Sequence, residues 1–245
     1  MWNHDFHQEV KGDGQKMTKF NYFSLADANE AKGAVVVIDV LRAFTTAAYA
    51  FDAGVEKILP VSGVDEAVAV KDQIDGAFVM GEDDGYKPET FDFSNSPGEI
   101  YKADVSGHIL VQRTSAGTQG LTRVVDPDLL LAASFVVAGA TGRYLQSHNP
   151  KQVSFIVTGV YKGRDGDEDR ACAEYIEALV KGESPDFNPY LSRVKTSTVG
   201  SEFHSGQLGF LMQEDFDLSV RVDRFGFAMP VHRENGRLVM EKYNL

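Results

Sequence analysis

Five short apolar runs, each stopped by a polar or glycine-containing turn, constrain the fold of this chain more than any other feature. Val35 to Ile38 leads into Asp39, Lys57 to Val61 into Ser62-Gly63, and Phe78 to Met80 into Gly81-Glu82-Asp83-Asp84. Ile109 to Val111 leads into Gln112-Arg113-Thr114-Ser115, and Val153 to Val157 into Thr158-Gly159. Their hydrophobicity is continuous rather than alternating, so both faces of each strand need cover, as in parallel sheets. Helical patterns lie between them. Thr45 to Ala53 is rich in alanine and closes on Gly54; Val64 to Ile74 and Asp167 to Val180 carry apolar residues at helical spacing. The alternation predicts βαβ units and a layered α/β/α fold with a largely parallel sheet.

Three stretches read differently. Asp128 to Gln146 fits either a strand over Leu129 to Ala133 with a helix from Val136, or one long helix. Gly182 to Ser192, with Pro185, Asn188 and Pro189, reads as a loop. Phe225 to Tyr243 reads as a C-terminal β-hairpin turning at Glu234-Asn235-Gly236. Residues 1–20 are expected to form a flexible N-terminal segment. Residues 21–245 are expected to form one α/β domain, with a division into two subdomains left open.

Charge and cysteine content narrow the function classes. With 24 basic and 36 acidic residues the formal charge is −12, which disfavours nucleic acid and anionic membranes as partners. A lone Cys172 allows no intramolecular disulfide and suits a reducing cytoplasm. The first residues lack the apolar core of a signal peptide, and no stretch approaches the ~20 apolar residues of a membrane span. The expectation is a cytoplasmic protein acting on a small molecule, with homo-oligomer formation open. No P-loop, dinucleotide fingerprint or nucleophile elbow is present, and the histidines show no metal-ligand spacing.

The chemistry-bearing clusters sit where the strands end, which is where open α/β sheets bind ligands. Asp39 and Arg42 follow the first run; a carboxylate there can hold Mg²⁺ and an arginine can grip phosphate. Thr45 and Thr46 add hydroxyls and helix-start N–H groups for an anion. Glu82, nearest its strand in the Glu82-Asp83-Asp84 cluster, is the better hard-oxygen ligand, with Asp83 and Asp84 expected to face solvent. Asn95-Ser96-Pro97 forms a rigid turn that can present an amide and a hydroxyl. Arg113-Thr114-Ser115-Ala116-Gly117-Thr118 ends a strand in small residues that let backbone N–H groups approach phosphate. Glu168 and Asp169 belong to an acidic run, Asp167-Glu168-Asp169, too dense to be only a helix cap.

In this order the clusters resemble the 2-phosphosulfolactate phosphatase family, from about Ala34 to the C-terminal hairpin. Asp39-Val40-Leu41-Arg42-Ala43 with Thr45-Thr46, Gly81-Glu82, Asn95-Ser96-Pro97, the Thr114 to Thr118 segment and Glu168-Asp169 with Cys172-Ala173 each look like a family motif. The resemblance implies a layered α/β fold and Mg²⁺-dependent removal of phosphate from 2-phospho-3-sulfolactate, a step of coenzyme M biosynthesis in some archaea. Two positions depart from the pattern. Ala116 replaces an Asn of the family's Thr-Thr-Asn-Gly-Thr segment, and Val137 stands where relatives carry Asn.

The expected activity is that of a Mg²⁺-dependent phosphoric monoester hydrolase acting on a small anionic phosphate ester. Asp39, Arg42, Arg113 and Thr114 are its expected catalytic residues. Thr45, Thr46, Asn95, Ser96, Ser115, Gly117 and Thr118 are expected to meet substrate. Asp39, Glu82, Glu168 and Asp169 are expected around the metal. Asp39 either takes the phosphoryl group itself or holds the ion while water attacks, and the latter is favoured. The alternatives are a non-catalytic binder of a phosphorylated metabolite on the same fold and a phosphatase for another 2-phospho-hydroxy acid.

Overall fold

The apolar runs are strands, and each helical pattern between them is a helix. The computed structural model describes residues 18–160, 163–206 and 209–245. The chain begins with β1 (Lys19–Ser24), β2 (Ala34–Ile38), α1 (Ala43–Asp52), β3 (Lys57–Val61) and α2 (Val64–Lys71). It continues through β4 (Phe78–Gly81), β5 (Phe93–Ser94), α3 (Pro97–Lys102), β6 (Ile109–Arg113) and α4 (Gly117–Arg123). Next come β7 (Leu129–Ala133), α5 (Ala138–His148), β8 (Gln152–Val157) and α6 (Asp167–Val180). The last elements are α7 (Asn188–Thr196), α8 (Thr198–Ser205), α9 (Gln213–Ser219), β9 (Phe227–Glu234), β10 (Arg237–Met240) and β11 (Tyr243–Asn244).

One 11-stranded sheet runs in the order β1-β8-β2-β7-β9-β10-β3-β6-β4-β5, with β11 pairing with β9. β1, β8, β2 and β7 form one parallel block, and β3, β6, β4 and β5 form another. The predicted C-terminal hairpin, β9 and β10, is inserted between them by antiparallel pairing on both sides. A hairpin at the end of the sequence is thus a central spacer of the sheet.

Burial explains the continuous hydrophobicity. All five residues of β2 are fully buried. Val35 and Val37 pack with Phe44, Ala47 and Phe51 of α1, whereas Ala34, Val36 and Ile38 pack with Ala171, Cys172 and Ile176 of α6. Alternate residues of one strand therefore feed two cores, which makes the structure layered. A third cluster sets Leu59, Val61, Val79 and Val111 against Ala67 and Val70 of α2. Each large apolar side chain so buried contributes about 1.5–3 kcal/mol.

Some boundaries move. The ambiguous stretch resolves as strand β7, a 3-10 turn at Phe135–Val137, and helix α5. α2 stops at Lys71, three residues short of the expected Ile74. The loop expected over Gly182 to Ser192 gives way at Asn188 to α7, whose Pro189 lies in the first turn. Proline is tolerated there because the first N–H groups of a helix have no partner within it. The flexible segment expected over residues 1–20 falls mostly outside the described residues, and its last two positions, Lys19 and Phe20, already belong to β1.

Candidate active site

Parallel pairing puts the ends of β2 and β8 side by side, so Asp39 and Thr158 become neighbours. Asp39 Oδ1 accepts the Ala43 N–H at 2.8 Å and so fixes the start of α1. Its Oδ2 lies 3.4 Å from Thr158 Oγ1. On the other side of that hydroxyl, Asp169 Oδ2 accepts from Thr158 Oγ1 at 3.2 Å and from the Gly159 N–H at 2.7 Å. Asp169 Oδ1 accepts the Val40 N–H at 2.8 Å. The start of α6 is thereby tied to the loop after β2.

Glu168 is buried beside them, and among the described residues its Oε2 has no hydrogen-bond partner. Two glycines make room for these carboxylates. A Cβ at Gly159 would sit 2.5 Å from Glu168 Oε1, and a Cβ at Gly117 would sit 2.8 Å from Asp39 Oδ2. Burial pushes the Asp39 carboxyl up to about 6, with the charge of Glu82 adding to it. Burial lifts Glu168 to about 7, helped by Asp165 and Asp39. Asp169 is raised well above the ordinary range by burial and then by Glu168 and Asp39. The cluster holds more negative charge than its surroundings favour.

The second parallel block supplies the facing loops. Glu82 follows β4 and accepts from Ser115 N–H at 2.5 Å, from Ser115 Oγ at 3.0 Å and from the Gly85 N–H at 2.6 Å. Arg113 donates from Nη1 to the Glu82 carbonyl at 2.6 Å and to Asp83 at 2.7 Å, and from Nε to the Ser62 carbonyl at 3.2 Å. Thr114 and Thr118 bond reciprocally: each hydroxyl accepts the other's backbone N–H, at 3.0 and 2.8 Å. This loop carries Gly117 to Asp39, so the carboxyl ends of the two blocks meet at that carboxylate.

Arg42 is buried and ion-paired with Asp215 at 2.6 Å, while the same Nη1 donates to the Phe210 carbonyl at 3.1 Å. Thr45 Oγ1 donates to the Val40 carbonyl at 2.8 Å, a local helix-start bond. Thr46 Oγ1 and Asn95 Oδ1 are buried without a partner among the described residues. Ser96 caps α3 by accepting the Glu99 N–H at 3.1 Å and donates to Asp215 Oδ1 at 2.6 Å.

Of the residues expected from the sequence, Asp39 lies against Gly117 and shares the Thr158 hydroxyl with Asp169, Glu168 lies with Asp169 against Gly159, and Glu82 acts on Asp39 through its charge. Glu82, Arg113, Thr114, Ser115 and Thr118 chiefly brace the loops that face it. Asp83, expected to face solvent, is exposed but pairs with Arg113. Thr158, Gly159 and Asp215 were not assigned a role from the sequence. Thr158-Gly159 carried the same strand-end signal as Asp39. Asp215 shares the buried face of α9 with Phe216, Leu218 and Ser219, and a buried acid at such a position calls for a cationic partner.

Among the described residues no three acidic, His or Cys side chains stand close enough to form a complete protein cage for a metal. Mg²⁺ needs none, since it is commonly held by one or two carboxylates and keeps several waters. The unpartnered Glu168 Oε2 and the mutually repelling hard-oxygen donors fit such an ion.

Among known proteins, the family model described as 2-phosphosulpholactate phosphatase matches residues 22–225. A relative from Carboxydothermus hydrogenoformans, named probable 2-phosphosulfolactate phosphatase, is 35% identical over 89% of this chain and 94% of its own. Proteins of the same name from Bacillus subtilis and Thermoplasma acidophilum are 30% and 29% identical, over 81% and 86% of this chain and 87% of their own in both cases.

Proposed function

From the chain's membership of the 2-phosphosulfolactate phosphatase family, we propose that it hydrolyses a small anionic phosphate monoester with the help of Mg²⁺. The observation that carries this reading is the linking of Asp39 to Asp169 through Thr158, with Glu168 beside Asp169 at Gly159 and Gly117 against Asp39, which sets hard oxygen donors beside small-residue loops at the strand ends. Asp39 Oδ2 and Glu168 Oε2 are the oxygens that would hold the ion. Mg²⁺, when bound, neutralises charge on the phosphoryl oxygens and lowers the pKa of a water. Asp169 fixes the backbone at Val40 and Gly159 and so orients both of those carboxylates. Arg42 grips an acidic group of the ester through its guanidinium fork. Thr46 Oγ1 and Asn95 Oδ1, buried and unpartnered among the described residues, supply further polar contacts.

The two departures from the family pattern leave this arrangement intact. Val137 packs in the apolar core, and Ala116 stands at the N-terminal boundary of α4 with its carbonyl accepting the Gly120 N–H at 3.0 Å. 2-Phosphosulfolactate is the first substrate to expect, and a 2-phospho-hydroxy acid without the sulfonate is the comparison. Phosphate release from 2-phosphosulfolactate and 2-phospholactate, each with Mg²⁺ and with EDTA, tests the proposal. Mg²⁺-dependent release with a higher kcat/KM for the sulfonate is expected. Absence of release from either ester refutes the hydrolase, and release undiminished by EDTA refutes the metal.

A further inference from the structure

Asp215 lies outside every motif that the sequence singled out, yet it is a carboxylate only 1% exposed. A charge so buried is costly unless paired and hydrogen-bonded, and here every side of it is engaged. Oδ2 accepts from Arg42 Nη1 at 2.6 Å; Oδ1 accepts from Ser96 Oγ at 2.6 Å and from the Gly98 N–H at 3.1 Å. One carboxylate on α9 thus connects the arginine of the first motif to the Asn95-Ser96-Pro97 turn of the third. On Arg42, Nη1 carries both contacts, to Asp215 and to the Phe210 carbonyl. Among the described residues Nε and Nη2 make no hydrogen bond, so the other edge of the guanidinium fork is left for an anion. A buried ion pair adds little stability over an apolar replacement, whereas it fixes direction well.

We propose that Asp215 is the positioning residue of the phosphate site: it aims the Arg42 guanidinium and locks the Asn95-Ser96 turn to it. The inference rests on the phosphatase reading, and it adds a residue that acts on the ligand only through Arg42. The test is a double-mutant cycle read as the affinity of the Mg²⁺-loaded full chain for inorganic phosphate, measured by calorimetry. Asp215→Asn keeps the acceptor for Ser96 and Gly98 but turns an amide toward Arg42. It should weaken phosphate binding about ten- to a hundredfold.

In an Arg42→Met background the same change should weaken binding no further, because the group it positions is gone. A wild-type affinity in Asp215→Asn overturns the proposal, as does an equal loss in both backgrounds, which marks general bracing of the fold. Should Asp215→Asn fail to fold, Ser96→Ala removes one of the donors that hold the carboxylate. Its smaller loss, about two- to threefold, must likewise vanish in the Arg42→Met background, and its persistence overturns the proposal. If the wild type itself binds no phosphate with Mg²⁺ present, the phosphatase reading falls and the positioning role falls with it. An unaffected Asp215→Asn beside a binding wild type removes the positioning role alone.

Discussion

Replacing Glu168 with glutamine should make the metal-free protein more stable at pH 8, even as it damages the site. In the folded chain the Glu168 carboxyl titrates near 7, against 4.5 as an ordinary glutamate. A group whose folded pKa is raised favours the folded state below its unfolded pKa, and that advantage is lost as pH rises through the folded value. Above pH 7 the wild type therefore holds an unwelcome charge, which the variant lacks. The full difference corresponds to about 3 kcal/mol, and repulsion shared with Asp39 and Asp169, together with the glutamine amide's own burial, reduces it to about 1–3 kcal/mol. For a domain of this size that is a rise in Tm of about 2–10 °C. The assay is thermal unfolding of both proteins in EDTA at pH 8 and at pH 4.5, followed by titration with Mg²⁺ at pH 8. The variant should melt higher at pH 8, and the gap should shrink to under about 1 kcal/mol at pH 4.5. Saturating Mg²⁺ should stabilise the wild type by about 2.7 kcal/mol at a hundred times its Kd, and the variant by less. A variant that melts lower at pH 8 in EDTA, or a gap independent of pH, refutes the picture of an overcharged buried cluster.

Three further outcomes follow from the same geometry. Asp39→Asn keeps the acceptor for the Ala43 N–H but loses the charge, so the fold should persist by circular dichroism while kcat drops by a factor of about 10² or more; a normal rate rejects the assignment. Arg42→Lys should lower kcat/KM at least about tenfold, since a point charge cannot serve Asp215, the Phe210 carbonyl and an anion together, and steady-state kinetics decide it. Gly117→Ala would place its Cβ 2.7 Å from Ala43 Cβ and 2.8 Å from Asp39 Oδ2, so it should cost about 1–3 kcal/mol in urea unfolding and lower kcat as Asp39 shifts.

The strand ends were legible because buried parallel strands must be apolar throughout, which makes the first polar residue after each run conspicuous. Asp39 and Glu82 both stand out in this way, and Gln112 flags the Arg113-Thr114-Ser115 segment that follows it. Strand order was not legible. Nothing local in Phe227 to Met240 says that the hairpin is inserted between two parallel blocks rather than added at an edge, since that depends on pairings more than 90 residues away in sequence. The division of labour among the acids was also hidden. Asp169 and Glu168 are adjacent on one helix, yet Asp169 bonds backbone N–H groups on two strands' loops while Glu168 Oε2 has no hydrogen-bond partner among the described residues. Asp215 escaped notice because a single acid on a short helix looks solvated until its buried partner, Arg42, is placed beside it.

Anomalous diffraction from crystals soaked with Mn²⁺ in place of Mg²⁺ tests the central claim most directly. A single peak within ligating distance of the Asp39 and Glu168 carboxylates, about 2–2.3 Å, and absent from Asp39→Asn crystals, is the expected result. A peak at another place, or an undiminished one in the variant, would contradict the view that the ends of β2 and β8 and the start of α6 jointly hold the ion.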